Sequence, residues 1–335
     1  MTAPVLEARD LAKRFPVAGG FGGARRVVHA LNGVSLAVAA GETLAVVGES
    51  GCGKSTLANC LTGLTEPSGG TLLLEGEDAG EILRRDPLRF RRRVQIVFQD
   101  PYASLNPRRS VGDAVGDALR IHRLAPRRRR RDRVAELLAE VGLAGEHLDR
   151  YPHELSGGQR QRVAIARALA VEPRIVVCDE PVSALDVSIQ AQVINLLRDI
   201  QARRGVAYLF ISHNLALVRH IARRIAVMYL GEVVELGDAA ALRRRMLHPY
   251  SRALFAAAPE IGRSSRDPDR PPPLSGDVPS PIDPPSGCRF HTRCPLAEPR
   301  CAAEAPALRE VDGRLVRCHL AERLAMAPAP PISGG

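Results

Sequence analysis

The chain has 335 residues, enough for one large domain or two modest ones; 45% are hydrophobic but only 4% aromatic, with no Trp, so aliphatic side chains must build the core. No run of about 18 apolar residues occurs, which excludes a membrane-spanning helix, and no basic region followed by an apolar stretch opens the chain, so we expect no secretory signal and a cytosolic location. The net charge of +10 is mostly arginine, densest at Arg127–Arg131 and Arg133; without interleaved aromatics this run reads as a solvated helix start and not as a single-strand nucleic-acid surface.

The first elements alternate apolar and polar residues, around Val5-Leu6-Glu7-Ala8 and Val34-Ser35-Leu36-Ala37-Val38, which predicts two strands. Gly19-Gly20-Phe21-Gly22-Gly23 between them predicts a flexible hairpin tip. Thr43–Val47 reads as a short buried strand, and Lys54–Leu61 has helical spacing. Leu, Ala, Val and Arg at helical period over about 106–170 predict a mostly helical insertion. Arg174-Ile175-Val176-Val177-Cys178 is a buried strand, Ala207–Ile211 another, and a hairpin follows over Ile225–Tyr229 and Glu232–Leu236 with Gly231 at its turn. Prolines crowd Pro268–Pro285, which predicts an extended linker, and the chain from about Ala325 onward predicts a disordered tail over 325–335.

Chemistry enters at Gly48-Glu49-Ser50-Gly51-Cys52-Gly53-Lys54-Ser55, which fits the phosphate-loop pattern G-x-x-x-x-G-K-[ST] between a strand and a helix. Backbone N–H groups of such a turn converge on phosphate oxygens, and Gly48, Gly51 and Gly53 let the chain wrap closely. Lys54 is expected to reach the β- and γ-phosphates of a nucleotide, Ser55 to hold Mg²⁺, and Thr56 to offer a hydroxyl near the α-phosphate. Asp179 ends an apolar strand, placed to accept hydrogen bonds from Mg²⁺-bound water, and Glu180 beside it is expected to orient or deprotonate the attacking water. Leu155-Ser156-Gly157-Gly158-Gln159 precedes a helix from Arg160, so its N–H groups and the helix dipole form a second anion site.

These three segments in this order resemble the ATP-binding-cassette (ABC) family. The resemblance implies an α/β fold: a P-loop NTPase cassette with a RecA-like core, an antiparallel β subdomain and an α-helical subdomain at about 100–170. It implies that Gln99 is the glutamine that contacts Mg²⁺ or the water and senses a membrane partner, that His213 touches the γ-phosphate, and that Asp186 lies in a loop facing the opposing subunit. Phe15 is expected to stack on adenine, its other reading being a core residue behind the first strand. By the same resemblance Ser156, Gly157, Gly158 and Gln159 complete the ATP site of a second cassette, so that two cassettes sandwich two ATP molecules.

Phe98-Gln99-Asp100-Pro101-Tyr102-Ala103-Ser104-Leu105-Asn106-Pro107 is similar to the ATPase subunits of oligopeptide and dipeptide importers, and Leu247-His248-Pro249-Tyr250 to their C-terminal extension. The implied layout is a cassette at 1–246 and an extension at 247–324. The implied function is ATP hydrolysis powering import of di- or oligopeptides; the family also serves nickel, opines and sugars, and a soluble nucleic-acid-linked ATPase is the other alternative. The implied partners are a second, paralogous ATPase, two transmembrane permease subunits and an extracytoplasmic solute-binding protein, with no nucleic acid, at the cytoplasmic face of the membrane. Residues following Gln99 through roughly Val115 would receive the permease.

Of seven cysteines, Cys52, Cys60 and Cys178 are scattered, while Cys288, Cys294, Cys301 and Cys318 follow C-x5-C-x6-C-x16-C. The short C-x2-4-C pairs that zinc sites favour are missing. Some importer ATPases of this type carry four-iron clusters on such cysteines, so the resemblance implies a [4Fe-4S] cluster; structural Zn²⁺ or no metal are the alternatives, with His291 and His319 as substitute ligands.

Overall fold

The computed structural model describes residues 3–17, 26–257 and 276–326. The glycine-rich tip at 19–23, the linker through 275 and the tail from 327 lie outside the described residues.

Two sheets organise the described residues. The larger has eight strands, in edge-to-edge order Arg309–Val311, Arg314–Val316, Glu232–Asp238, Arg224–Tyr229, Thr43–Val47, Ala207–Ile211, Ile175–Asp179 and Val94–Val97. The last five run parallel, and the first three join antiparallel. Thr43–Val47, Ile175–Asp179 and Ala207–Ile211 are buried at every position, which is why they read as unbroken apolar runs: a parallel sheet is covered on both faces. The smaller sheet, Arg26–Ala39, Pro4–Val17, Gly69–Leu74 and Glu77–Asp78, is antiparallel, and its first two strands are irregular in register. Its inner face buries Leu6, Leu11, Leu31, Val34 and Val38 against Leu57 and Leu61 of the helix Lys54–Leu61.

The helical insertion consists mainly of Val111–Ile121, Arg127–Glu140 and Gly157–Leu169. Ser110 starts the first by accepting the Asp113 N–H at 3.2 Å. Val115, Leu119, Val134, Leu138 and Val163 pack between the three. The arginine run is the start of the second helix, where Arg131 pairs with Asp149 and Arg133 with Glu136 and Glu172.

The C-terminal extension is where the fold departs from expectation. It is no separate tail: its hairpin, Arg309–Val311 and Arg314–Val316, adds strands to the cassette's own sheet, with Val316 opposite Glu235 and Leu315 opposite Leu236. An edge strand carries unpaired N–H and C=O groups, and the hairpin satisfies them. Asp312 and Gly313 turn the hairpin with φ of 50° and 72°, both in the left-handed region. Leu247, Val311, Val316, Leu320 and Leu324 form a small core beneath it. The helix Ala321–Met326 carries this core past Ala325, whose carbonyl accepts from Arg245, so the chain is ordered where the tail was expected to begin.

A polar knot fastens the extension to the sheet. Glu235, fully buried, accepts the backbone N–H groups of Leu247 at 2.8 Å and His248 at 3.0 Å. His248 Nδ1 in turn accepts the Tyr250 N–H at 3.1 Å. Burial raises the Glu235 carboxyl and pushes the His248 imidazole down to about 3, so the ring stays neutral.

Candidate active site

The parallel strands end at one edge of the sheet, and the side chains singled out for phosphate chemistry leave from those ends, where open α/β sheets place ligands. Strand Thr43–Val47 delivers the phosphate loop. A Cβ at Gly48 would lie 2.3 Å from the Met228 carbonyl, and one at Gly53 2.4 Å from that of Ala30, so only glycine permits this packing. The Lys54 ammonium donates to the Gly48 and Glu49 carbonyls at 2.8 and 2.9 Å, which curls its charge over the loop.

The neighbouring ends bring the carboxylates. Ser55 Oγ donates to Asp179 Oδ1 at 3.4 Å, so these two oxygens face one another as a pair able to hold a divalent cation. Desolvation raises the Asp179 carboxyl; the Ser55 hydrogen bond opposes this, the Glu180 charge adds to it, and Lys54 counters. Glu180 has φ of 48°, a strained value for a residue with Cβ. Its N–H donates to Ile211 at 3.0 Å and its carbonyl accepts from Ser183 at 3.2 Å, which holds the turn. Glu180 Oε2 lies 3.1 Å from His213 Nδ1. Gln99 follows the strand Val94–Val97.

A cavity of about 760 Å³ joins these groups. Ser50, Gly51, Gly53, Lys54, Ser55 and Thr56 form its phosphate end, with Gln99, Glu180 and His213 beside them. Phe15, Val28, Ala30 and Pro281 also line it. Its volume is in the range of a small-molecule site. Phe15 is 39% exposed, not a core residue, and the Lys13 ammonium lies 4.9 Å from its ring centre. Sequence reasoning missed Val28, Ala30 and Pro281, which carry no local signal.

Several expected residues stand outside this cavity. Gly48 and Asp179 do not line it, and Cys52 is buried. The Glu49 carboxylate turns away and pairs with Arg293 at 2.7 and 3.1 Å. Ser156, Gly157, Gly158, Gln159 and Asp186 do not line it either. Ser156 and Gln159 form a capping box, each side chain bonding the other's N–H at the start of Gly157–Leu169. A Cβ on Gly158 would meet Ile189 Cγ2 at 2.7 Å and one on Gly157 would meet Leu185 Cδ2 at 3.3 Å, so these glycines seat the helix start against the segment around Asp186. Arg160, one turn on, lies 3.6 Å over the ring of Tyr102 and ties this helix to the segment after Gln99.

The four C-terminal cysteines are gathered: the Cys288 N–H donates to the Cys301 carbonyl at 2.8 Å, and each thiol lies within electrostatic reach of the others. Burial pushes the Cys288 and Cys318 thiols up to about 11 and raises that of Cys294. Among the described residues, however, no three or more His, Cys, Asp or Glu side chains converge as ligands for one metal ion. His291 Nδ1 and His319 Nε2 are each 2.9 Å from a backbone carbonyl, of Cys288 and Glu304 respectively.

Comparison with known proteins places this geometry. The family model for the ABC transporter matches residues 31–183, and that for the oligopeptide/dipeptide transporter, C-terminal region, matches 234–301. The di/tripeptide transport ATP-binding protein DppF of Pseudomonas aeruginosa is 51% identical over 320 residues, 95% of this chain and 98% of its own length. The dipeptide transport ATP-binding protein DppF of Escherichia coli is 47% identical over 324 residues, 96% and 95% of the two chains. Among solved structures, the ATP-binding cassette MJ0796 in a dimeric post-hydrolysis state bound to ADP and Pi superposes with a TM-score of 0.62 at 28% identity, covering 70% of this chain and 98% of that one. Alike in its sheet, its phosphate loop and its C-terminal region, the chain belongs to the ABC transporter ATP-binding subunits of the oligopeptide/dipeptide type.

Proposed function

We propose that this chain hydrolyses ATP to power import of di- and oligopeptides. The observation that carries the reading is the single cavity uniting the phosphate loop with Gln99, Glu180 and His213, while Ser156–Gln159 lies outside it. A cavity supplied with phosphate and water ligands but separated from its second anion site is half of a shared site. Lys54 holds the β- and γ-phosphates, Thr56 lies near the α-phosphate, and Phe15 stacks on adenine. Ser55 and Asp179, with Gln99, would hold Mg²⁺, which neutralises charge on the phosphates when bound. Glu180 accepts a proton from, or orients, the water that displaces ADP from the γ-phosphorus, and His213, held by Glu180, reaches the γ-phosphate. The N–H groups after Ser156 and the positive end of Gly157–Leu169 serve the ATP of an opposing cassette, with Asp186 beside them.

The described residues contain no helix long and apolar enough to cross a membrane. Two permease subunits therefore form the path, docking on the segment from Gln99 to about Val115, with a paralogous ATPase opposite and a solute-binding protein delivering cargo. The chain sits peripherally at the cytoplasmic face. It divides functionally into a cassette, 1–246, and an extension, 247–324. Cys301 and Cys318, buried, with Cys288 and Cys294, half-buried, are the ligands we assign to a [4Fe-4S] cluster, with structural Zn²⁺ or no metal as the alternatives; among the described residues no three ligand side chains converge on one ion, which favours neither metal.

Labelled-peptide uptake by a strain lacking this gene tests the function. The parent gene restores uptake and Glu180→Gln does not; undiminished uptake in the deletion strain refutes the reading. Anaerobic purification with iron, sulfide and zinc assays tests the cluster, which a colourless, metal-free, folded protein rules out.

A further inference from the structure

The C-terminal extension lines the nucleotide cavity with Pro281 and braces its phosphate loop at Glu49. The His29 N–H donates to the Pro281 carbonyl at 2.9 Å, and Pro281 lines the cavity with Phe15 and Val28. At the phosphate end, the Tyr250 hydroxyl accepts the Glu49 N–H at 2.9 Å. Arg293 grips the Glu49 carboxylate with two hydrogen bonds, at 2.7 and 3.1 Å. The Arg293 side chain is only 5% exposed, and its guanidinium lies 5.9 Å from the centre of the Tyr229 ring. Tyr229, Tyr250 and Phe290 pack with ring centres 4.7 to 5.4 Å apart, so the platform behind the arginine is rigid. Glu49 belongs to the loop whose N–H groups would face a polyanion. An unpaired carboxylate there repels phosphate, and a two-pronged guanidinium cancels that charge and fixes its direction.

We infer that Arg293 is a positioning residue for nucleotide: from the C-terminal extension it neutralises and holds Glu49, so that the phosphate loop presents donors without opposing charge. The inference rests on reading this cavity as the nucleotide site.

The test is calorimetric binding of ADP to the full-length chain, with ATPase kinetics alongside. Arg293→Ala is expected to weaken ADP binding about tenfold, the order of one unpaired like charge on the phosphate loop at a dielectric constant between those of protein and water. The KM for ATP rises in step while kcat stays within about twofold, because the groups that handle water are untouched. Glu49→Gln in the Arg293→Ala background restores most of the affinity by removing the repelling charge, and Arg293→Lys falls between parent and Ala. A purely structural salt bridge would lower thermal stability, which Glu49→Gln would also relieve, and leave the ADP affinity of the folded chain unchanged. Unchanged ADP affinity in Arg293→Ala, or a loss that Glu49→Gln fails to relieve, overturns the inference. Should Arg293→Ala not fold, Arg293→Lys and the double variant Glu49→Gln/Arg293→Met carry the same comparison. A parent chain that binds no ADP instead overturns the nucleotide-site reading itself.

Discussion

Glu235 lies within one strand of the large sheet and Glu180 just past the end of another, and the two carboxylates are held in opposite ways. Glu235 is fully buried, with two backbone N–H donors on its oxygens. Glu180 keeps 16% of its side chain exposed, carries a left-handed backbone, borders the cavity and has His213 beside it. A carboxylate whose lone pairs are committed to the chain's own backbone welds two segments. One held in strain with its oxygens toward open space is available for chemistry.

That contrast can be broken from either side. The largest effect is expected at Glu180: Glu180→Gln should lower ATP turnover by about 10²- to 10⁴-fold while the unfolding midpoint stays put. Turnover at the parent rate would remove Glu180 from the water-handling role. Glu235→Ala should instead cost about 3 kcal/mol in urea unfolding, because it strands the Leu247 and His248 N–H groups in the interior. A cost under about 0.5 kcal/mol, typical of a surface change, would mean that the knot welds nothing.

Gly158 extends the comparison to a site held by packing alone. Gly158→Ala should cost about 2 kcal/mol through its clash with Ile189, and Ile189→Ala should relieve it. If the second change gives no relief, the glycine is needed for something other than space. The smallest effect is in pH. His248 titrates near 6.5 when unfolded and about 3 when folded, so between these values the unfolded chain binds more protons. Stability is therefore complete above about pH 6.5 and is lost on acidification, by up to about 1.4 kcal/mol per pH unit. The parent's melting temperature should fall more steeply than that of His248→Asn between about pH 6.5 and 5.5; parallel slopes would show that the ring is not kept neutral.

Much of the site was legible because its chemistry is local. The phosphate loop needs glycines and Lys54 at fixed offsets along one turn, and Asp179-Glu180 needs only an apolar strand before it. The central strands were equally plain, since burial on both faces leaves a run of apolar residues. Glu49 shows the limit: its place in the loop pattern suggested a nucleotide contact, whereas its side chain is committed to an arginine far along the chain. Gln159 points to the anion site through its place after Gly157-Gly158, while the S-x-x-Q spacing from Ser156 also carries the capping box that the structure shows.

By itself, then, the order of residues determined the phosphate loop, the strands and helices that carry it, and the kinship with peptide-importer ATPases. Only the tertiary structure decided that the cysteine-bearing extension completes the cassette's sheet, lines the nucleotide cavity with Pro281 and braces the phosphate loop through Tyr250 and Arg293. The reason is physical: a turn or a strand is written in neighbouring residues, whereas a salt bridge between Glu49 and Arg293 depends on how the intervening chain packs.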